Sequence, residues 1–200
     1  MGMIAQERQR FDEAEQWYRK ALEISERLGL ERDVAGECHQ LGMIAQERQR
    51  FDEAEQWYRK ALEINERLGL ERYVASDYHQ LGMIAEERQR FDEAEQWYRK
   101  ALEICERLGH PPLLVDTLAE LGVLRRAQKQ LPEAVEWFGR ALAIAAEYKM
   151  RVGGQILRDL ARLLEAMGEG EFKAAWRRAF EGQGPPLERL REVLKELQSQ

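Results

Sequence analysis

The side chains best suited to chemistry in this sequence are two thiols and two imidazoles: Cys38, His39, His79 and Cys105. A thiol beside an imidazole could form a nucleophile–base pair, and Cys/His sets could bind zinc. The spacing argues against both. Cys38 and His39 are adjacent, so on a helix their side chains point to diverging faces. His39 and His79 stand forty residues apart at the same place in a repeated string, with no tetrahedral partners in view. The abundant carboxylates, among them Glu53, Glu55 and Glu63, fit helix ends and surface pairs. Glycine-rich phosphate loops and nucleophile elbows are absent. The sequence therefore points to no enzyme, no metal and no cofactor.

The elements that carry these residues repeat almost letter for letter. FDEAEQWYRKALEI occurs at 11–24, 51–64 and 91–104, and residues 1–40 and 41–80 differ at six positions. A degenerate fourth copy, LPEAVEWFGRALAIA, starts at Leu131. A fixed period of this size makes a solenoid, in which each unit stacks on its neighbours. The reading divides the chain into repeats at 1–30, 31–70, 71–110 and 111–150, the first shortened at its N-terminus. A degenerate hairpin and a C-terminal cap helix fill 151–200.

One unit reads as two antiparallel helices. Val74, Tyr78, Leu81, Gly82 and Ala85 recur at helical steps up to Gln89–Arg90. A second helix opens at Asp92, where Glu95 completes a capping-box pattern. Ala94, Trp97, Tyr98, Ala101 and Leu102 make its apolar stripe, and Gly109 ends it in the left-handed conformation. Each helix runs roughly 17 residues, about 25 Å. Gly42 and Ala54 are expected to face each other at a close crossing, with Tyr58 and Ala61 in the next layer. The tryptophans at 17, 57, 97 and 137 read as packing, with Trp57 covering the seam to the following unit. In the tail, Gly153–Gly154 reads as a turn and Gly168–Gly170 as a break. Helices are expected at 156–167, 172–180 and 187–197.

These positions resemble the tetratricopeptide signature W-x2-LG-x2-Y…A-x3-F…P. Here it reads Tyr78, Leu81, Gly82 and Ala85, then Ala94, Tyr98 and Ala101. The previous copy supplies Cys38, Leu41, Gly42, Ala45, Ala54, Tyr58 and Ala61. The period is 40 rather than 34 and the closing proline is missing. The long-repeat branch is similar, as in kinesin light chains and the arrays that end bacterial NB-ARC or STAND-type signalling proteins. The resemblance implies an all-α, right-handed superhelix (a solenoid of helical hairpins) with a C-terminal capping helix. It also implies a concave groove lined by the first helix of each unit. The groove positions are then Gly36, His39, Gln40, Met43, Gln46 and Glu47, their counterparts Ser76, His79, Gln80, Met83, Glu86 and Glu87, and Ala119, Glu120, Val123, Arg126 and Ala127 in the fourth copy. The Lys and Asn that clamp a terminal carboxylate in chaperone-binding relatives are missing from this set. His, Met and Gln flanked by Glu suit an extended peptide or a helix carrying apolar and basic side chains.

Composition bounds the partners. Hydrophobic residues make up 44% and charged residues 34%, with a net charge of −6. An acidic chain disfavours nucleic acid and anionic membranes. No apolar run approaches a membrane span and no signal peptide opens the chain. Two cysteines make no disulfide framework, which fits a cytoplasmic setting. The functional expectation is a protein-interaction module, the sensor or scaffold arm of a larger signalling protein. The alternative is a structural or engineered array that stacks or self-assembles without a specific ligand. The chain begins inside a repeat, so a first helix of only about ten residues is expected before Asp12. Tyr18, Leu22, Ile24 and Leu28 would then be partly bare, inviting a homodimer or head-to-tail assembly.

Overall fold

The computed structural model describes the backbone of residues 2–199 and the side chains of residues 10–199. Ten α-helices and no strand occur among the described residues. The chain separates into two compact units, residues 1–104 and 105–200.

The first unit holds α1 (Gly2–Leu28), α2 (Glu31–Glu47), α3 (Phe51–Arg67), α4 (Glu71–Glu87) and most of α5 (Phe91–Leu108). In it α1 packs on α2, α2 on α3 and α3 on α4. Two apolar layers run through it. Leu22, Val34, Ala35, Cys38, Leu41, Ala61 and Ile64 form the first, sealed by Tyr18 and Trp57. Ala45, Ala54, Tyr58, Leu62, Val74, Leu81 and Ile84 form the second, sealed by Tyr78 and Trp97 among others. The 17-residue helices match the expected length.

The second unit contains α6 (Pro111–Ala127), α7 (Leu131–Glu147), α8 (Gly153–Met167), α9 (Glu169–Ala179) and α10 (Leu187–Gln198). Here α6 packs on α7, α7 on both α8 and α9, and α10 folds back onto α8. Leu190 and Val193 of α10 are buried there.

Several local expectations are corrected. The first copy contains no hairpin, because α1 runs unbroken from Gly2 to Leu28. Residues 2–24 and 42–64 are identical in sequence, yet the second stretch turns at residues 48–50. The turn is therefore not encoded locally. It places Gln49 at φ 58, a left-handed conformation that a non-glycine residue adopts at a cost. Contacts to α1 offset that cost: Arg48 reaches Asp12 at 2.6 Å, and Arg50 reaches Glu15 at 2.6 Å.

The capping box expected at Asp92 is also absent, because α5 starts at Phe91 and Asp92 lies inside its first turn; the equivalent start of α3 behaves alike. Helix α3 is preceded by Arg50, which makes no side-chain cap. Asp52 lies inside the first turn of α3 and binds Arg88 at 2.6 Å instead. The end of each preceding helix is closed by backbone alone, as in Arg50 N–H to Ala45 C=O (2.8 Å) and Leu70 N–H to Asn65 C=O (2.9 Å). Gly69 and Gly109 supply the left-handed residue at one set of turns. Gln49, Gln89, Lys129 and Lys149 supply it at the other.

The atoms nearest a methyl group on Gly42 belong to the Tyr58 ring, 2.7 Å away. Trp57 serves the preceding helix, not the following one. The Arg19 guanidinium of α1 lies 5.5 Å from its ring centroid, and Arg59 sits likewise over Trp97 at 5.4 Å. In the tail, Gly153 and Gly154 belong to the first turn of α8, and only Gly168 breaks the chain before α9.

Candidate functional site

Three of the four thiols and imidazoles suited to chemistry are buried. Cys38 and Cys105 are buried, and burial pushes both thiols up to about 11, so neither is a thiolate near neutral pH. His79 is buried beneath α4, and desolvation lowers it to about 4. Its ring lies 5.7 Å from that of Tyr98. His79 is thus a neutral packing residue rather than an open groove contact, and it does not titrate between pH 5 and 8 as an unperturbed imidazole does. Among the described residues no three His, Cys, Asp or Glu side chains converge as metal ligands.

The other groove positions separate into three groups. Gln46 and Glu86 accept the hydroxyls of the buried Tyr58 (3.0 Å) and Tyr98 (2.9 Å), so they serve the core. Met43, Glu47 and Glu87 are exposed, and Gln40, Gln80 and Met83 are half-buried. Arg126 lies in the second unit and is occupied by Asp159 at 2.6 Å.

His39 is joined to its surroundings differently from its counterpart. Its Nδ1 lies 2.7 Å from Oδ1 of Asp77, on α4. The other oxygen of Asp77 accepts from Asn65 of α3 at 2.7 Å. This chain of hydrogen bonds ties α2, α3 and α4 together, and two of its members, His39 and Asn65, line a pocket of about 540 Å3. Helix α2 supplies most of its wall: Arg32, Asp33, Ala35, Gly36, Glu37, His39 and Gln40. Tyr18 of α1 and Asn65 of α3 close it, and Leu70, Tyr73 and Ser76 stand opposite.

Charge in the pocket is uneven. Arg32 donates to the Tyr73 hydroxyl at 3.3 Å and lies over that ring. Glu37 takes one hydrogen bond, from Ser25 at 3.0 Å. Its other oxygen is buried with no hydrogen-bond partner. Burial first, then the neighbouring Asp33 and Glu26 charges, raise its carboxyl above the ordinary value, against the Ser25 bond. Of the sequence-expected groove residues, Gly36, His39, Gln40 and Ser76 line this pocket. Asp33, Glu37, Asn65, Tyr73 and Asp77 were missed. The signal that marks them is that each stands where the first two copies differ.

The fold-holding positions (Gly42, Ala54, Tyr58 and Ala61, with Gly82, Ala94, Tyr98 and Ala101) are all buried. The tetratricopeptide repeat family models match residues 1–28, 36–107 and 73–147. The chain belongs to the tetratricopeptide repeat family. The crystal structure of BtubC (BKLC) from P. vanneervenii is similar over 95% of this chain and 76% of that one, at 28% identity and a TM-score of 0.75. A Podosopora anserina putative kinesin light chain with nearly identical TPR-like repeats matches over 99% and 93%, at 18% identity and a TM-score of 0.69. A Rap protein complexed with competence and sporulation factor matches over 98% of this chain and 54% of that one, at 17% identity and a TM-score of 0.71. No curated protein sequence matches. Tetratricopeptide repeats of this kind are protein-interaction modules, and the fold in general is a binding scaffold rather than an enzyme. Among the described residues no helix is long and apolar enough to cross a membrane.

Proposed function

We propose that this tetratricopeptide chain recognises an extended peptide or a helix of a protein partner on the face shared by α2 and α4. The observation that carries the reading is the pocket on that face, with Met43 exposed further along α2. Such a face offers backbone-lined relief for alternate side chains, and methionine adapts to varied apolar contacts. A Rap protein of similar fold, complexed with competence and sporulation factor, supports a binding role for the scaffold. On this reading the chain is the sensor or scaffold arm of a larger cytoplasmic signalling protein, and its partner is protein rather than nucleic acid.

The test is selection of random twelve-residue peptides against the whole chain. Selected peptides should bind a His39→Ser/Met43→Ser/Met83→Ser variant at least tenfold more weakly, with helicity unchanged by circular dichroism. Peptides that bind both forms equally would move the site elsewhere.

A second reading is favoured by α1. Trp17, Ile24 and Leu28 are 69%, 48% and 61% exposed, although Leu22 is buried. We propose that this face pairs with another copy, giving a homodimer or a head-to-tail array. Sedimentation velocity of wild type and a Trp17→Glu/Leu28→Glu variant over a hundredfold concentration range tests it. A mass that does not rise with concentration in the wild type would refute it.

A further inference from the structure

The first two copies differ at one terminal position, 1/41, and at five internal ones: 25/65, 33/73, 36/76, 37/77 and 38/78. Twelve residues line the pocket between α2 and α4, yet six of the ten residues at those internal positions are among them. They are Asp33, Gly36, Glu37, Asn65, Tyr73 and Ser76. Two more touch the lining directly, Ser25 through Glu37 and Asp77 through Asn65 and His39.

A residue that holds the stack meets the same neighbours in every copy, so copies keep it. A residue facing a ligand that does not itself repeat meets different surroundings in each copy. Some of the change is packing compensation. Ser25 with Glu37 becomes Asn65 with Asp77, a short donor on a long acid exchanged for a longer donor on a short acid, and the bond survives in both. Compensation does not cover 33/73 and 36/76. Asp33, Gly36 and Tyr73 are exposed, and a methyl group added at Gly36 would meet nothing within 4 Å. Nor does it cover the outcome at 37/77. Both oxygens of Asp77 are engaged, whereas Glu37 keeps one without a partner.

We infer that these diverged positions set the specificity of the α2/α4 pocket, and that it receives one basic side chain, Arg or Lys, of a non-repeating peptide. The inference rests on the peptide-binding reading above. Asp33 and Glu37 take the cationic head, and Glu37 brings an oxygen that lacks a donor. Tyr73, Leu70 and Ala35 take the aliphatic stem, as long cationic side chains bury their methylenes on apolar surface. Gly36 leaves the room. Arg32, the one cation in the wall, is drawn aside by the Tyr73 hydroxyl and ring.

The experiment titrates N-acetyl-argininamide, N-acetyl-lysinamide and the neutral N-acetyl-glutaminamide into the isotope-labelled full chain, followed by amide NMR. Shifts confined to residues 32–40 and 70–77 are expected for the two cations, with the neutral probe at least fivefold weaker. Asp33→Asn/Glu37→Gln should remove the difference between probes while its spectrum stays folded. A second variant gives copy one the residues of copy two (Ser25→Asn, Asp33→Tyr, Gly36→Ser, Glu37→Asp, Cys38→Tyr); it should also lose the cation response. Equal shifts from all three probes, or a cation response that survives both variants, overturn the inference. Selected peptides that bind the α2/α4 face without any cation response also overturn it, and leave the peptide-binding reading in place.

Discussion

His39 Nδ1 lies 2.7 Å from Oδ1 of Asp77, a carboxylate with no exposed surface. With Asn65 Nδ2 on the other oxygen, Asp77 joins three helices through a single buried group. Replacing it with Ala strands two donors, one of them on the buried Asn65. Asp77→Ala should cost about 3 kcal/mol in urea unfolding. His39→Ala removes only a half-exposed partner and should cost markedly less. Equal losses would show that burial of Asp77 is not what matters.

His79 makes stability depend on pH. Its folded value, about 4, lies below the ordinary 6.5 because burial disfavours the charged ring. The unfolded chain therefore binds a proton that the folded chain resists. Nothing is lost above pH 6.5, and stability falls as pH drops from 6.5 toward 4, by roughly 3 kcal/mol in all. His79→Gln should flatten this part of the denaturation-versus-pH curve relative to wild type. An unchanged slope between pH 6.5 and 4 would mean the ring is not buried as described.

Two glycines on helices should respond with opposite signs to one methyl group. On Gly82 it would stand 2.5 Å from the Tyr98 ring, and Gly82→Ala should cost about 1–3 kcal/mol by overpacking. On Gly36 it meets open space, so Gly36→Ala should stabilise by roughly 0.5–1 kcal/mol through helix propensity alone. Thermal midpoints of the two variants decide the matter. Midpoints that shift in the same direction would place the close crossing elsewhere.

Period, helix length and core positions were legible in the sequence because they follow from the spacing of apolar and small residues, which every copy repeats. Tyr58, Ala61 and Leu81 are buried for that reason. What was not legible depends on a neighbouring unit. Asp92 reads as a capping residue from its own string, but it lies inside the first turn of α5, as its counterpart Asp52 does in α3, where Arg88 of the next hairpin claims Asp52. Trp57 gives no sign that its cation comes from α1. His39 and His79 hold the same repeat position, and one reaches Asp77 while the other is buried. Gly36, His39, Gln40 and Ser76 of the pocket follow from their place in the repeat, whereas Asp33, Glu37, Asn65 and Tyr73 stand where the copies differ and no repeated pattern marks them.

Identical sequence in two conformations gives the sharpest test of how units act on each other. Residues 2–24 are helical throughout, whereas the same letters at 42–64 turn at Gln49. The difference traces to Glu15, which accepts Arg48 at 2.9 Å and Arg50 at 2.6 Å and also binds Arg19. Burial would push this carboxyl up, but hydrogen bonds and charge from Arg50 and Arg19 outweigh it and hold it below the ordinary value. Its contribution is therefore present above the unfolded carboxylate value and lost as pH falls through the folded one. Glu15→Gln should cost about 1–2 kcal/mol at pH 7, and the cost should vanish in acid. The loss should appear locally as faster hydrogen exchange at the Arg50 amide, which closes the turn on Ala45. Glu55→Gln should do the same at Arg90, where Arg90 binds Glu55 at 2.8 Å. Unchanged exchange at both amides, with global stability reduced, would show that the turns are held by apolar packing and that the arginine latch is incidental.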